Sequence, residues 1–172
     1  MPKYHQNDAN ISDGVNLLIS ILVRYPEIGT INFDPQINSL KLTFMFSKLP
    51  MQTDFTNIKQ LLMDSITAYH LLESTDAEIV HIELSTYGQM TMMNIIRDIH
   101  SLSKSEIALI ITLLRENFQD SLIIDYNDNL LEEDLVMQEE VIDNMFASIK
   151  KQNQGNKLIG IREEGRVLVF NK

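Results

Sequence analysis

Apolar side chains in this chain recur with two periods. Ile31 and Phe33, then Leu40, Leu42, Phe44 and Phe46, alternate with polar neighbours, and Asp34-Pro35-Gln36-Ile37-Asn38 separates the two runs. Alternation puts such residues on one face of a strand, and the intervening segment carries turn chemistry, so a hairpin is expected. On either side the period lengthens. Ser12 and Asp13 are suited to cap a first helix that ends near Arg24, before Pro26. Beyond Pro50, Thr53 or Asp54 caps a second helix with Ile58, Leu61, Leu62, Ile66, Tyr69 and Leu72 at helical spacing.

The stretch from Glu78 to His100 is open to two descriptions. Val80, Ile82 and Leu84 alternate as in a strand, whereas Met92, Ile95, Ile96 and Ile99 also fit one face of a helix. Ser103 and Glu106 form a capping box that starts a new helix at once, which favours a hairpin over residues 78–100. With Tyr87-Gly88 as its turn, Val80 falls opposite Ile95, Ile82 opposite Met93, and Glu78 opposite Arg97 as a closing ion pair. Tyrosine is a poor first residue for such a turn, because it would need a positive φ. A helix from Lys104 to Phe118 follows, then a strand from Leu122 to Tyr126 and a loop. A long helix runs from about Leu130 to Lys151, and Gly155 stops it. A last hairpin turns at Glu164-Gly165, with Ile161 opposite Leu168 and Ile159 opposite Phe170 on its apolar face.

The order is therefore α-ββ-α-ββ-α-β-α-ββ. Strands that come in hairpins, each followed by a helix, predict an α+β fold. Its sheet is mixed, mostly antiparallel, of about seven strands, with helices packed on it. Residues 1–10 are polar and are expected to form a flexible N-terminus, with 11–172 as a single α+β domain.

Charge changes this picture more than composition does. The net charge is −10, and the ten carboxylates between Glu116 and Asp143 have no lysine or arginine among them. Lys150, Lys151, Lys157, Arg162 and Arg166 then reverse the sign. General affinity for nucleic acid or anionic lipid is disfavoured by the overall charge. Pairing of the basic end with the acidic stretch is the simpler expectation. The absence of cysteine excludes disulfides and thiolate chemistry and fits a reducing, cytoplasmic setting of bacterial type. The apolar run Val15–Val23 is too short to span a bilayer, and Arg24-Tyr25-Pro26 after it is no cleavage site, so neither a secretory signal nor a membrane partner is expected.

Candidate chemistry is sparse. Asp125-Tyr126-Asn127-Asp128-Asn129 begins like a calcium loop, but Leu130 stands where glycine is needed and Val136 where a bidentate glutamate belongs. Asp125, Asp128, Glu132 and Glu133 remain as oxygen ligands for a divalent ion or small ligand, although no metal and no cofactor is expected. Gly155 to Gly160 has phosphate-loop spacing, but Ile161 and Arg162 follow where lysine and Ser/Thr are required. Ser101-Leu102-Ser103-Lys104 lacks every companion motif of a serine-lysine enzyme. His5, His70, His81 and His100 show no ligand spacing and read as surface or half-buried structural residues. No catalytic motif is recognisable.

The long acidic helix carries Leu131, Leu135, Gln138, Ile142, Met145 and Ile149 at alternating steps of four and three, the spacing of a coiled-coil seam. That points to core packing or to self-association. The expectation drawn from all this is a non-catalytic protein-interaction or regulatory domain, self-associating or bound to another protein through the acidic helix or an exposed sheet edge. Two alternatives stand beside it. One is an RNA-associated factor using Lys150, Lys151, Lys157, Arg162 and Arg166; the other is an enzyme or divalent-ion binder using residues 125–133.

Overall fold

The structure, a computed structural model, describes residues 8–47, 52–125, 132–150 and 155–171. Its elements are α1 (Asp8–Arg24), β1 (Ile28–Asp34), β2 (Ser39–Phe46), α2 (Gln52–Glu73), β3 (Val80–Tyr87), β4 (Met90–Asp98), α3 (Lys104–Phe118), α4 (Glu132–Ile149), β5 (Leu158–Glu163) and β6 (Arg166–Asn171). This is the expected α+β fold. Three hairpins lie side by side in one six-stranded sheet of order β3-β4-β2-β1-β5-β6, and each described pairing is antiparallel.

Among the described residues, the helices cover one face of the sheet. Leu17, Leu18, Ile21 and Leu22 of α1 join Ile31, Leu42, Phe44, Met93 and Ile95 from the strands in one continuous core with Ile66, Ile110 and Leu114. Phe46 meets Phe118 of α3 with ring centroids 4.7 Å apart. The opposite face carries Thr30, Asn32, Lys41 and Thr43 at its centre, the alternate residues of β1 and β2.

Several expectations need correction. The helix α1 begins at Asp8, so Ser12 and Asp13 lie within it, and Asp13 accepts a hydrogen bond from the Ser148 hydroxyl of α4 at 2.5 Å. Within Leu122–Asp125 the expected strand contracts to a single bridge, Leu122 with Phe46, so among the described residues the sheet has six strands where about seven were expected. Ile123 donates to the Met45 carbonyl (2.8 Å) and Asp125 to that of Pro26 (3.2 Å), which tethers the segment across the sheet's end. Tyr126 lies outside the described residues.

Residues 90–98 are a strand, as favoured, but the register of β3 and β4 is displaced by two. Val80 pairs with Arg97, Ile82 with Ile95 and Tyr87 with Met90. The reason is the turn: Gly88, not Tyr87, takes the positive φ (66°), making Gly88-Gln89 the central residues of a II′ turn. A shift of two keeps every side chain on its face, so the apolar face survives while the Glu78–Arg97 pair does not.

The final hairpin has the expected register and the opposite face inward. Pairing with β1 decides this, because Ile31 lies opposite Gly160 and Phe33 opposite Leu158, so Gly160 and Leu158 share the core face. A Cβ on Gly160 would stand 2.9 Å from Leu22 Cδ1 and 3.0 Å from Ile31 Cγ2. The absence of a side chain there lets α1 rest directly on β5. Ile159, Ile161, Leu168 and Phe170 consequently face away from the helices.

Gly160→Val should therefore lower stability by about 1–3 kcal/mol through overpacking. Urea denaturation checks this, and an unchanged midpoint would contradict the close approach of α1 to β5.

Candidate functional site

Two polar constellations emerge from this fold. The first is sealed. Arg97 at the end of β4 is fully buried, and each of its five N–H groups has an acceptor. Nε and Nη2 grip Glu106 of α3 at 2.5 and 2.8 Å, Nη1 reaches Asp98 (2.5 Å) and the Ile79 carbonyl (2.7 Å), and Nη2 also reaches Ser101 (2.9 Å). Glu106 Oε1 accepts from His70 Nε2 of α2 at 2.7 Å, and the Thr75 hydroxyl completes the ring at Nδ1. Asp98 in turn accepts from the amides of Glu78, Ile79 and Ser101. The cluster ties α2, α3 and β4 together.

Sequence reasoning placed these residues elsewhere. Arg97 was matched with Glu78 and Glu106 with Ser103, and His70 read as a surface or half-buried structural residue. Half of the capping box is present, since Glu106 N–H donates to Ser103 Oγ at 3.2 Å. Its carboxylate is taken by Arg97 instead. Ser101 serves the cluster and Lys104 pairs with Asp143 at 3.2 Å, so the serine-lysine spacing brings no nucleophile and base together.

Burial alone would raise the Asp98 carboxyl, but the Ile79 amide, the Ser101 hydroxyl and the Arg97 charge outweigh it and hold it at about 2. Burial likewise works against charge on Arg97, and Glu106 and Asp98 more than compensate.

The second constellation is open. Among the described residues the strand β6 pairs only with β5, and between Arg166 and Asn171 it reads Val-Leu-Val-Phe, with no charge and no proline. The opposite edge, β3, carries exposed His81 and Glu83, 3.3 Å apart. Charged residues blunt an edge against pairing, and on β6 such a residue stands only at the first position, Arg166. The two-residue turn at Glu164-Gly165 makes Glu163 and Arg166 the first hydrogen-bonded pair. Leu168 and Phe170 therefore direct their amides to β5, and Val167 and Val169 direct theirs outward. On the uncovered face Phe170 is 49% exposed beside half-buried Ile159, Ile161 and Leu168.

Where α1 meets β6, a groove of about 370 Å³ lies between Ile19, Val23, Pro26 and Val167, with Asp125, Arg162 and Arg166 also among its lining residues. Arg162 Nη2 faces the carbonyls of Leu22 (2.7 Å), Tyr25 (3.3 Å) and Ile28 (2.9 Å), closing the C-terminus of α1. Its Nε is buried without a hydrogen-bond partner. Asp125 is 4.0 Å from it, too far for a hydrogen bond. Burial pushes the Arg162 guanidinium below its ordinary value, with Asp125 and Glu27 partly offsetting this.

The remaining predicted residues are dispersed. Ile142 and Ile149 of α4 are buried and Met145 is half-buried, while Val136 and Met137 are exposed. Contacts such as Ser148–Asp13 and Arg24–Glu139 (2.7 Å) hold α4 on α1. Leu131 lies outside the described residues, as do the side chains of Leu135 and Gln138. Lys157 approaches Asp34 at 3.7 Å, Lys150 lies 5.7 Å from the Phe146 ring, and Lys151 is outside the described residues. Asp128 and the side chains of Glu132 and Glu133 also lie outside. Among the described residues no group of three or more His, Asp or Glu side chains could hold a metal ion, and no helix is long and apolar enough to cross a membrane. Comparison with protein-family models, curated proteins and solved structures finds no match to this chain.

The sealed cluster makes two predictions. Glu106→Leu strips Arg97 Nε of its acceptor and leaves Asp98 as the one carboxylate on the buried guanidinium, and it should cost about 3–5 kcal/mol, with the loss in Arg97→Met/Glu106→Leu smaller than the sum of the two single losses. Additive losses in urea denaturation would contradict the pairing. Because the Asp98 carboxyl titrates at about 2 rather than 3.8, it adds roughly 2 kcal/mol above pH 4, and this fades as pH falls through about 2. The stability gap between the native chain and Asp98→Asn should narrow over that range, and a constant gap would contradict it.

Proposed function

We propose that this chain is a non-catalytic protein-interaction domain, residues 11–172 acting as one unit, that takes up an extended strand of a protein partner along β6. The observation that supports it is the contrast between the two sheet edges: charged β3 against β6, whose outward amides have no partner strand beyond them among the described residues. Strand addition draws affinity from main-chain hydrogen bonds and specificity from pockets that receive alternate side chains, and the groove beside Val167 is such a pocket.

Self-association is a variant of the same proposal, with two β6 strands pairing about a two-fold axis. The acidic helix is less suited, because Ile142 and Ile149 are already covered within the chain. An RNA-binding role has weaker support, since Arg162 is committed to the carbonyls of α1 and Lys157 lies near Asp34.

Selection of random displayed octapeptides against the purified chain tests the proposal. Enriched peptides should alternate apolar residues with period two, and Val169→Pro, which removes an outward N–H but no bond to β5, should abolish their binding without changing the circular dichroism. Enrichment of amphipathic helical peptides, or binding indifferent to Val169→Pro, would overturn it.

A further inference from the structure

Independently of edge docking, we infer that the sheet face left uncovered by the described helices joins two copies of this chain, about a two-fold axis running across the strands. Strand register lays two rows of side chains over the middle of this face. One row is Glu83, Asn94, Thr43, Thr30, Ile161 and Leu168; the next is His81, Ile96, Lys41, Asn32, Ile159 and Phe170. Both rows are apolar on β5 and β6, polar on β1 and β2, and titratable on β3. Phe170 is 49% exposed, and Ile96, Ile159, Ile161 and Leu168 are half-buried, which suits an interaction surface. Charge points to the occupant. Lys41, Lys157 and Arg166 balance Asp34, Glu83 and Glu163 on this face, so it is neutral in a chain of net charge −10. The excess acid lies elsewhere, and salt screens it over a Debye length of about 8 Å.

Stacked sheets keep their strands within about 30° of one another, which leaves two placements for the two-fold axis. An axis along the strands sets Glu83 on Leu168 and His81 on Phe170, a mismatch. An axis across the strands, between the two rows, exchanges them strand by strand. Leu168 then meets Phe170 of the second copy, Ile161 meets Ile159, Thr30 meets Asn32, and Glu83 meets His81. One row further out, Glu163 meets Lys157, whose side chain is 48% exposed. Threonine and asparagine carry donors and acceptors that satisfy one another across the polar centre. Six strands about 4.8 Å apart and rows about 7 Å apart give a footprint of roughly 25 by 20 Å on each copy. Over both copies that is about 1,000 Å², the size from which a specific interface is expected.

Sedimentation equilibrium of the full chain tests this. The native chain should dimerise. Glu163→Lys and Lys157→Glu should each weaken the dimer at least tenfold, because each sets like charges together twice per dimer. An equimolar mixture of the two variants should recover an affinity within threefold of native, since both contacts then join opposite charges. Lys157 immediately precedes β5 and Glu163 ends it, roughly 20 Å apart, so recovery on mixing arises only between copies. Mixing does not alter what either substitution does beside Asp34 or Arg166 within its own chain. Val169→Pro should leave the dimer intact. A native chain that stays monomeric at its highest soluble concentration overturns the inference. A dimer insensitive to both charge variants, or not recovered on mixing them, overturns this two-fold arrangement. A dimer lost in Val169→Pro is edge pairing through β6 and overturns the face as the interface.

Discussion

The structure depends on one constraint: the sheet buries only one of its faces under the described helices. Strand pairing then has to put each core residue on that side. Alternation in β1 and β2 meets the requirement directly, and the pairing of Gly160 with Ile31 imposes it on the last hairpin against that hairpin's own apolar bias. Ile159, Ile161, Leu168 and Phe170 are left facing outward as a consequence. The helical layer also has a boundary. The helix α1 lies over β1, β5 and β6 alike, and β6 is the last strand beneath it among the described residues.

Two arginines hold this arrangement, by different physics. Arg97 is neutralised on all sides, with five donors and five acceptors, and such a sealed network fixes the relation of β4 to α2 and α3 while offering nothing to a ligand. Arg162 is half spent. One nitrogen closes the carbonyls at the end of α1, where a cation is favourable, and so anchors the β5–β6 hairpin to the helix. The other donor is left over.

Much of the fold was legible in the sequence because period and turn chemistry are local. The order of elements, the hairpin at residues 34–38, the Ser103 cap and the register of the last hairpin all follow from neighbouring residues. What was not legible is set by contacts distant in the chain. The inward face of β5 is decided by β1, more than a hundred residues earlier, and the burial of His70 is decided by Glu106 and Arg97. The two-residue displacement of the β3–β4 hairpin could have been found, since Gly88 accepts the φ that Tyr87 resists. Of the candidate site, Arg162 and Arg166 stood out as anion contacts and Asp125 as an oxygen ligand. Their convergence with Ile19 and Val23 is a product of the tertiary fold, and composition carries no trace of it.

The claim that bears most weight is that β6 is a free edge, its outward amides without a partner strand among the described residues. Amide hydrogen exchange of the isolated chain, measured residue by residue, tests it most directly. Protection should alternate along the strand, slow at Leu168 and Phe170, which bond to β5, and fast at Val167 and Val169, which point away. Uniform protection of all four amides, independent of protein concentration, would show that the edge is already covered within the chain and would contradict the account.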